Sequence, residues 1–121
     1  MIVAVIGSRS KTVYDLEKYL PTETTEIVIG GAIGIDRCAE EYARNAGISL
    51  KLFLPDYQRH SKAAPLVRNE EIVRYADIVL AFWDGKSRGT IHVIKLCRKL
   101  NKPYHVHMTK KDREEMLGRK K

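Results

Sequence analysis

Hydrophobic and polar positions fall into alternating blocks along this chain. One kind is a short unbroken apolar run, and the other spaces its apolar residues three and four apart. The runs are IVAVI (2–6), ended by Gly7, and EIVI (26–29), ended by Gly30 and Gly31. LKLFL (50–54) follows and leads into the loop PDYQRHSKAA, then DIVLAFW (77–83) before the loop DGKSRG, and lastly the shorter PYHVHM (103–108). Each has strand length, and unbroken rather than alternating apolarity predicts a sheet covered on both faces. The segments between them carry helical spacing. TVYDLEKYL (12–20) sets Val13, Leu16 and Leu20 on one face and stops at Pro21. DRCAEEYARNAG (36–47) opens on Asp36, a residue suited to an N-cap, and closes on Gly47. PLVRNEEIVRYA (65–76) opens on a proline of the kind allowed in a first helical turn, and TIHVIKLCRKLN (90–101) is the fourth helix.

Five strands and four crossover helices predict an α/β domain of three layers, built on a doubly wound five-stranded parallel sheet. Right-handed crossovers with helices on both faces require the strand order to reverse once. In the order 3-2-1-4-5 the reversal lies between strands 1 and 4, so the glycine-marked loops after strands 1, 2 and 4 meet at one edge. A single domain is expected over residues 1–109, followed by a basic tail over 110–121 that forms a last amphipathic turn or frays. No internal repeat or linker interrupts it.

Composition changes this picture little. The hydrophobic fraction of 44% suits a globular chain, and no apolar stretch approaches the roughly 18 residues of a membrane span. The start, MIVAVIG, has no basic leader and enters a strand pattern at once, so no signal peptide is expected. Cys38 and Cys97 form no CxxC pair and read as buried, reduced thiols of a cytoplasmic protein. The net charge of +7 raises a nucleic-acid partner, but +3 of it sits on the last twelve residues. A mildly basic body suits a phosphate-bearing small ligand equally well.

Three loops carry candidate chemistry. In GSRS, Gly7 lets the chain leave its strand sharply, Ser8 offers a hydrogen bond and Arg9 a bidentate phosphate contact. An ordinary strand-to-helix turn with a surface arginine would read the same. In GGAIGID, Gly30, Gly31 and Ala32 leave little side chain at a strand end, Gly34 has access to positive φ, and Asp36 caps the following helix. Three glycines exceed what a turn needs, which favours a binding loop, although the spacing does not match the dinucleotide fingerprint. In FWDGKSRGT, Gly85 and Gly89 bracket Lys86, Ser87 and Arg88, and Thr90 opens a helix, an arrangement like an anion-binding nest beside Asp84. Trp83 stands at the strand end, either as a platform for a base or, as is commoner, as a cap on the core. Arg68 and Asn69 belong by default to a solvated helix face, unless the long loop before them folds over the crevice. No metal site is expected: His105 and His107 share a strand face without a carboxylate or cysteine at ligand spacing, and His60 and His92 stand apart. Nothing suggests an acyl-transfer triad.

GSR after the first strand, GGAIGID after the second, AAPLVRNEEIV, and DIVLAFWDGKSRGT together resemble the SLOG superfamily over about residues 1–107. That superfamily joins the Rossmann-like domain of Smf, or DNA-processing protein A, to the LOG ("lonely guy") nucleotide hydrolases. The small stand-alone YspA/YpsA-related branch is the most similar. The resemblance implies a Rossmann-like fold that binds nucleotides or nucleotide-derived ligands. In the LOG enzymes an arginine on the third helix and the glutamate of PGGxGTxxE cleave an N-glycosidic bond. Arg68 matches the arginine, and Gly89 and Thr90 match the GT, but Val93 stands where the glutamate belongs. A valine neither relays protons nor stabilises an oxocarbenium-like centre.

The expectation is therefore a protein that binds or senses a phosphorylated, nucleotide-derived small molecule of ADP-ribose type, with no certain cofactor. One alternative is a nucleotide-cleaving hydrolase in which Arg68 acts with a carboxylate such as Asp84 or Asp36. Another is a DNA-binding module like the DNA-processing relatives, which the 7% aromatic content disfavours. A homodimer is the expected assembly, with no membrane partner.

Overall fold

The protein is described by a computed structural model covering residues 1–8, 12, 13, 15–31 and 33–119. Its apolar strand residues alternate between two cores, one on each face of a sheet. β1 (Ile2–Gly7) turns Val3 and Val5 to one side and Ala4 and Ile6 to the other. β2 (Glu26–Ile29) divides Ile27 and Ile29 from Val28 in the same way. β3 (Ser49–Leu52), β4 (Ile78–Phe82) and β5 (Tyr104–His107) complete five parallel strands in the order β3-β2-β1-β4-β5. This is the expected three-layer Rossmann-like sheet, with its reversal between β1 and β4.

The layer on the Val3 side is α1 (Ile33–Ala46), which buries Ile35, Ala39 and Ala43 at four-residue intervals. Its end is closed by Gly47 at φ 68°, with the Ile48 N–H bonded to the Ala43 carbonyl at 2.9 Å. That is the six-to-one closure a left-handed glycine permits. A short α2 (Tyr57–His60), capped by the Asp56 carboxylate on Arg59 N–H at 3.1 Å, precedes the other layer. There α3 (Ala64–Tyr75), with Pro65 in its first turn, and α4 (Arg88–Lys99) bury Ile72, Val73, Val93, Ile94 and Cys97. The tail carries α5 (Lys110–Arg119), whose Asp112 N–H donates to the Thr109 hydroxyl at 3.0 Å. No described helix is long and apolar enough to cross a membrane.

Three expectations need correction. The helix over 12–20 is, among the described residues, only a 3-10 turn at Leu16–Lys18. Leu16 is buried, and Val13 and Leu20 pack on the same core, so the apolar spacing is honoured without a helix. A nine-residue segment rich in β-branched and aromatic residues and closed by Pro21 does not recover the cost of helix nucleation. Among its described residues the crossover from β1 to β2 has this 3-10 turn where the other crossovers have an α-helix. Next, α1 begins at Ile33 rather than Asp36, so Asp36 lies inside the first turn and is not its N-cap. Gly34 is in that turn too, and the left-handed backbone belongs to Gly31, at φ 100°. Both cysteines are free, but only Cys97 is buried; Cys38 is half-buried and accepts the Val13 N–H at 3.3 Å. Burial pushes the Cys97 thiol up to about 11, which makes it inert near neutrality.

Candidate functional site

The reversal point brings the first and third candidate loops into contact, because Gly7 of β1 pairs with Phe82 of β4. Ser8 N–H donates to the Phe82 carbonyl at 3.0 Å. The Ser8 hydroxyl accepts Asp84 N–H at 3.2 Å and lies 3.4 Å from the Thr90 hydroxyl. Asp84 then organises its own loop: one carboxylate oxygen accepts Lys86 N–H at 2.9 Å and Ser87 N–H at 2.8 Å. Gly85, at φ 85°, provides the reversal that lets both N–H groups turn back. Trp83 packs against the α4 core, and its indole N–H donates to the Ser87 carbonyl at 3.1 Å.

Burial raises the Asp84 carboxyl, but the N–H groups of Lys86 and Ser87, then the Ser8 hydroxyl and the Lys86 charge, outweigh it and hold it below the ordinary range. It is thus an ionised acceptor with one oxygen committed to the loop. Ser8, Asp84 and Thr90 are all under 10% exposed and serve as the frame of the site. Lys86, Arg88 and Gly89 beside it are exposed. A side chain at Gly89 would meet nothing within 4 Å, so packing does not require a glycine there.

The second loop is built differently. Gly30 has no room for a side chain because a Cβ would come within 2.8 Å of Ile72 Cδ1 and 3.4 Å of Arg68 Cδ. Gly31 needs its positive φ, and its N–H donates to the Asp36 carboxylate at 2.5 Å. Internal reasons therefore account for both glycines. Arg68 crosses from α3 to this loop, with Nη1 donating to the Gly30 carbonyl and Nε to Asn69 Oδ1 at 2.9 Å. Both acceptors are neutral, and Nη2 makes no hydrogen bond to a described residue. Desolvation lowers the Arg68 pKa while Asp36, then Tyr57, act against it. An arginine remains charged through such shifts.

Sequence reasoning set His92 aside, yet it belongs to this cluster. Arg68 Nε can only donate, so the atom of Asn69 facing it must be the oxygen, and the Asn69 Nδ2 group is left to donate onward. It lies 3.0 Å from His92 Nδ1, which must then accept, leaving the proton of the neutral ring on Nε2. Burial lowers the His92 pKa; the Glu70 charge opposes this and Lys95 assists it. The result is a neutral imidazole in a fixed tautomer. Asn69→Asp should raise the His92 pKa and move the neutral-ring proton to Nδ1, because a carboxylate there can only accept. Nitrogen-15 NMR of the ring reads both, and an Nδ1–H tautomer in the parent protein would contradict the assignment.

The candidates thus form two clusters joined across α3 and α4 by the Arg68–Asn69–His92 chain. Gly7, Ser8, Trp83, Asp84, Gly85, Ser87, Arg88, Gly89 and Thr90 lie at the first, and Gly30, Gly31, Asp36, Arg68 and Asn69 at the second. Gly34 sits in the first turn of α1, and Arg9 and Ala32 lie outside the described residues. Among the described residues no group of three or more His, Cys, Asp or Glu side chains is placed to hold a metal.

No protein-family model and no solved structure matches the chain. Over 83 residues it is 39% identical to the gene 61 protein of Mycobacterium phage D29. That match covers 64% of this chain and 66% of the phage protein, a little under two thirds of that relative's length.

Proposed function

We propose that the protein binds a phosphorylated, nucleotide-derived small molecule of ADP-ribose type at the C-terminal edge of its sheet, as a binding or sensing module of the SLOG type. The observation that carries this reading is Arg68. It is a half-buried cation held by two neutral acceptors, with Nη2 uncommitted among the described residues, beside the end of β2. An anion is the natural partner of such a group. The exposed Gly89 at the start of α4 supports the reading, since a bare helix N-terminus admits a phosphate to its N–H groups.

Binding is favoured over cleavage by what the carboxylates do. Asp84 holds the Lys86 and Ser87 N–H groups and Asp36 the Gly31 N–H, so each has a framing role. Val93, at the position of the LOG glutamate, is 3% exposed within the core between α4 and the sheet. Calorimetric titration with nucleoside monophosphates and ADP-ribose tests the reading. Arg68→Gln should weaken binding about 10- to 100-fold, the worth of one hydrogen bond to a charged group. Failure of every phosphate compound to bind the parent, or equal affinity in the variant, would sink it.

A further inference from the structure

A cavity of about 550 Å³ opens on the α1 side of the same sheet edge. Its size lies within the range of small-ligand pockets. α1 packs against β1, β2 and β3. Among the described residues Tyr19, the residue after the 3-10 turn, packs over the ends of β4 and β5 on this face.

Three rings packed on one another line the cavity, with Tyr19 and His107 at its surface and Phe82, 4% exposed, beneath them. Phe82 and His107 are cross-strand partners, stacked at 28° with centroids 5.2 Å apart. Tyr19 stands edge-on to both, 5.2 Å from Phe82 and 4.7 Å from His107. Val13 and Met108 add apolar wall, and Thr12, Asp15 and Thr109 add polar groups. Tyr19 is 38% exposed, and neither its hydroxyl nor the His107 ring nitrogens bond to a described residue. The Thr109 oxygen accepts Asp112 N–H and leaves its own proton to donate; Asp15 is 3.3 Å from the Lys18 ammonium. Burial, then the neighbouring His105, lowers the His107 pKa and favours its neutral form.

Aromatic walls prefer a flat π-system, and donors and acceptors at their rim prefer one with polar edges. Phe82 also links this cavity to the phosphate loops, because its carbonyl accepts the Ser8 N–H. We infer that the Tyr19–Phe82–His107 cavity takes a planar heteroaromatic ring, of nucleobase type, carried by the ligand whose phosphate is held by the loops across β1 and β4. The inference rests on the phosphate-binding reading for the second half of that statement only.

Titration of the parent and Tyr19→Ala with adenosine monophosphate, ribose 5-phosphate and adenosine separates the two halves. Tyr19 is exposed enough for the variant to be expected to fold, a point that circular dichroism checks, and His107→Ala provides a second variant. The parent should bind adenosine monophosphate at least about tenfold tighter than ribose 5-phosphate, in line with the usual worth of one stacked base. Tyr19→Ala should remove that advantage and leave ribose 5-phosphate unchanged. Equal affinity of the parent for both phosphates, or an equal loss for both in the variants, overturns the ring pocket and leaves phosphate binding standing. Tyr19-dependent binding of adenosine without binding of either phosphate keeps the ring pocket and overturns the phosphate reading. Binding of none of the three overturns both.

Discussion

Gly7→Ala is expected to lower the free energy of unfolding by about 2–3 kcal/mol, near the upper end of the usual cost of overpacking a core. A Cβ at this position would lie 2.6 Å from Ile35 Cγ1 and 2.9 Å from the Phe82 carbonyl oxygen. Ile35 is fully buried between α1 and the sheet, so its side chain has nowhere to swing. The Phe82 carbonyl is backbone and already accepts the Ser8 N–H. Relief requires α1 to lift from the sheet or β1 to separate from β4, and either movement spoils the loop contact at Ser8. Gly89→Ala is the matched control. Its Cβ would meet nothing within 4 Å, so stability should be unchanged or slightly raised by helix propensity. Urea denaturation reads both variants, and a Gly7→Ala midpoint equal to that of the parent would show that α1 can shift without cost.

The same two glycines show what the sequence reveals and what it conceals. Strand ends marked by glycine, together with apolar runs buried on both faces, were enough to place β1, β2 and β4, and the handedness of crossovers then placed their order. Spacing reports which residues point inward, however, and not the backbone that carries them. Val13, Leu16 and Leu20 reach their core from an irregular segment as well as they would from a helix. The glycines of GGAIGID read as an excess that favours a binding loop over a plain turn. Gly30 is needed by Ile72 and Arg68, and Gly31 by its φ, and neither need is visible until α3 is folded against β2. Asp36 looks like a cap in the sequence because caps are local, yet it acts from within the first turn on Gly31 behind it. His92 escaped notice for the opposite reason. Its partner Asn69 is 23 residues away on another helix, and the only local sign was a polar residue between two apolar ones, Ile91 and Val93.

Asp84→Ala should cost about 2–4 kcal/mol and should free the loop before α4, which makes it the companion test of the frame of the site. The carboxylate accepts two backbone N–H groups, from Lys86 and Ser87, in a place only 8% exposed. Removing it leaves both donors without that acceptor, and each buried group left unmade costs about 1–3 kcal/mol, less whatever water recovers. Asp84→Asn keeps one acceptor oxygen and should cost less, so the order parent, Asn, Ala is itself a prediction. The two variants also separate charge from shape through pH. The folded Asp84 pKa is depressed relative to the unfolded chain, so its contribution is present above the unfolded carboxylate pKa of about 4. It is lost as the pH falls through the lower folded value. The parent should therefore lose stability between about pH 4 and more acidic values, and Asp84→Asn should show a shallower acid slope. Hydrogen exchange at the amides of Lys86 and Ser87 should rise in the alanine variant, because their acceptor is gone. An unchanged acid slope in Asp84→Asn, with those amides still protected, would mean that the loop is held by Trp83 and Thr90 instead, through the indole bond to the Ser87 carbonyl and the hydroxyl contact with Ser87 Oγ at 3.4 Å.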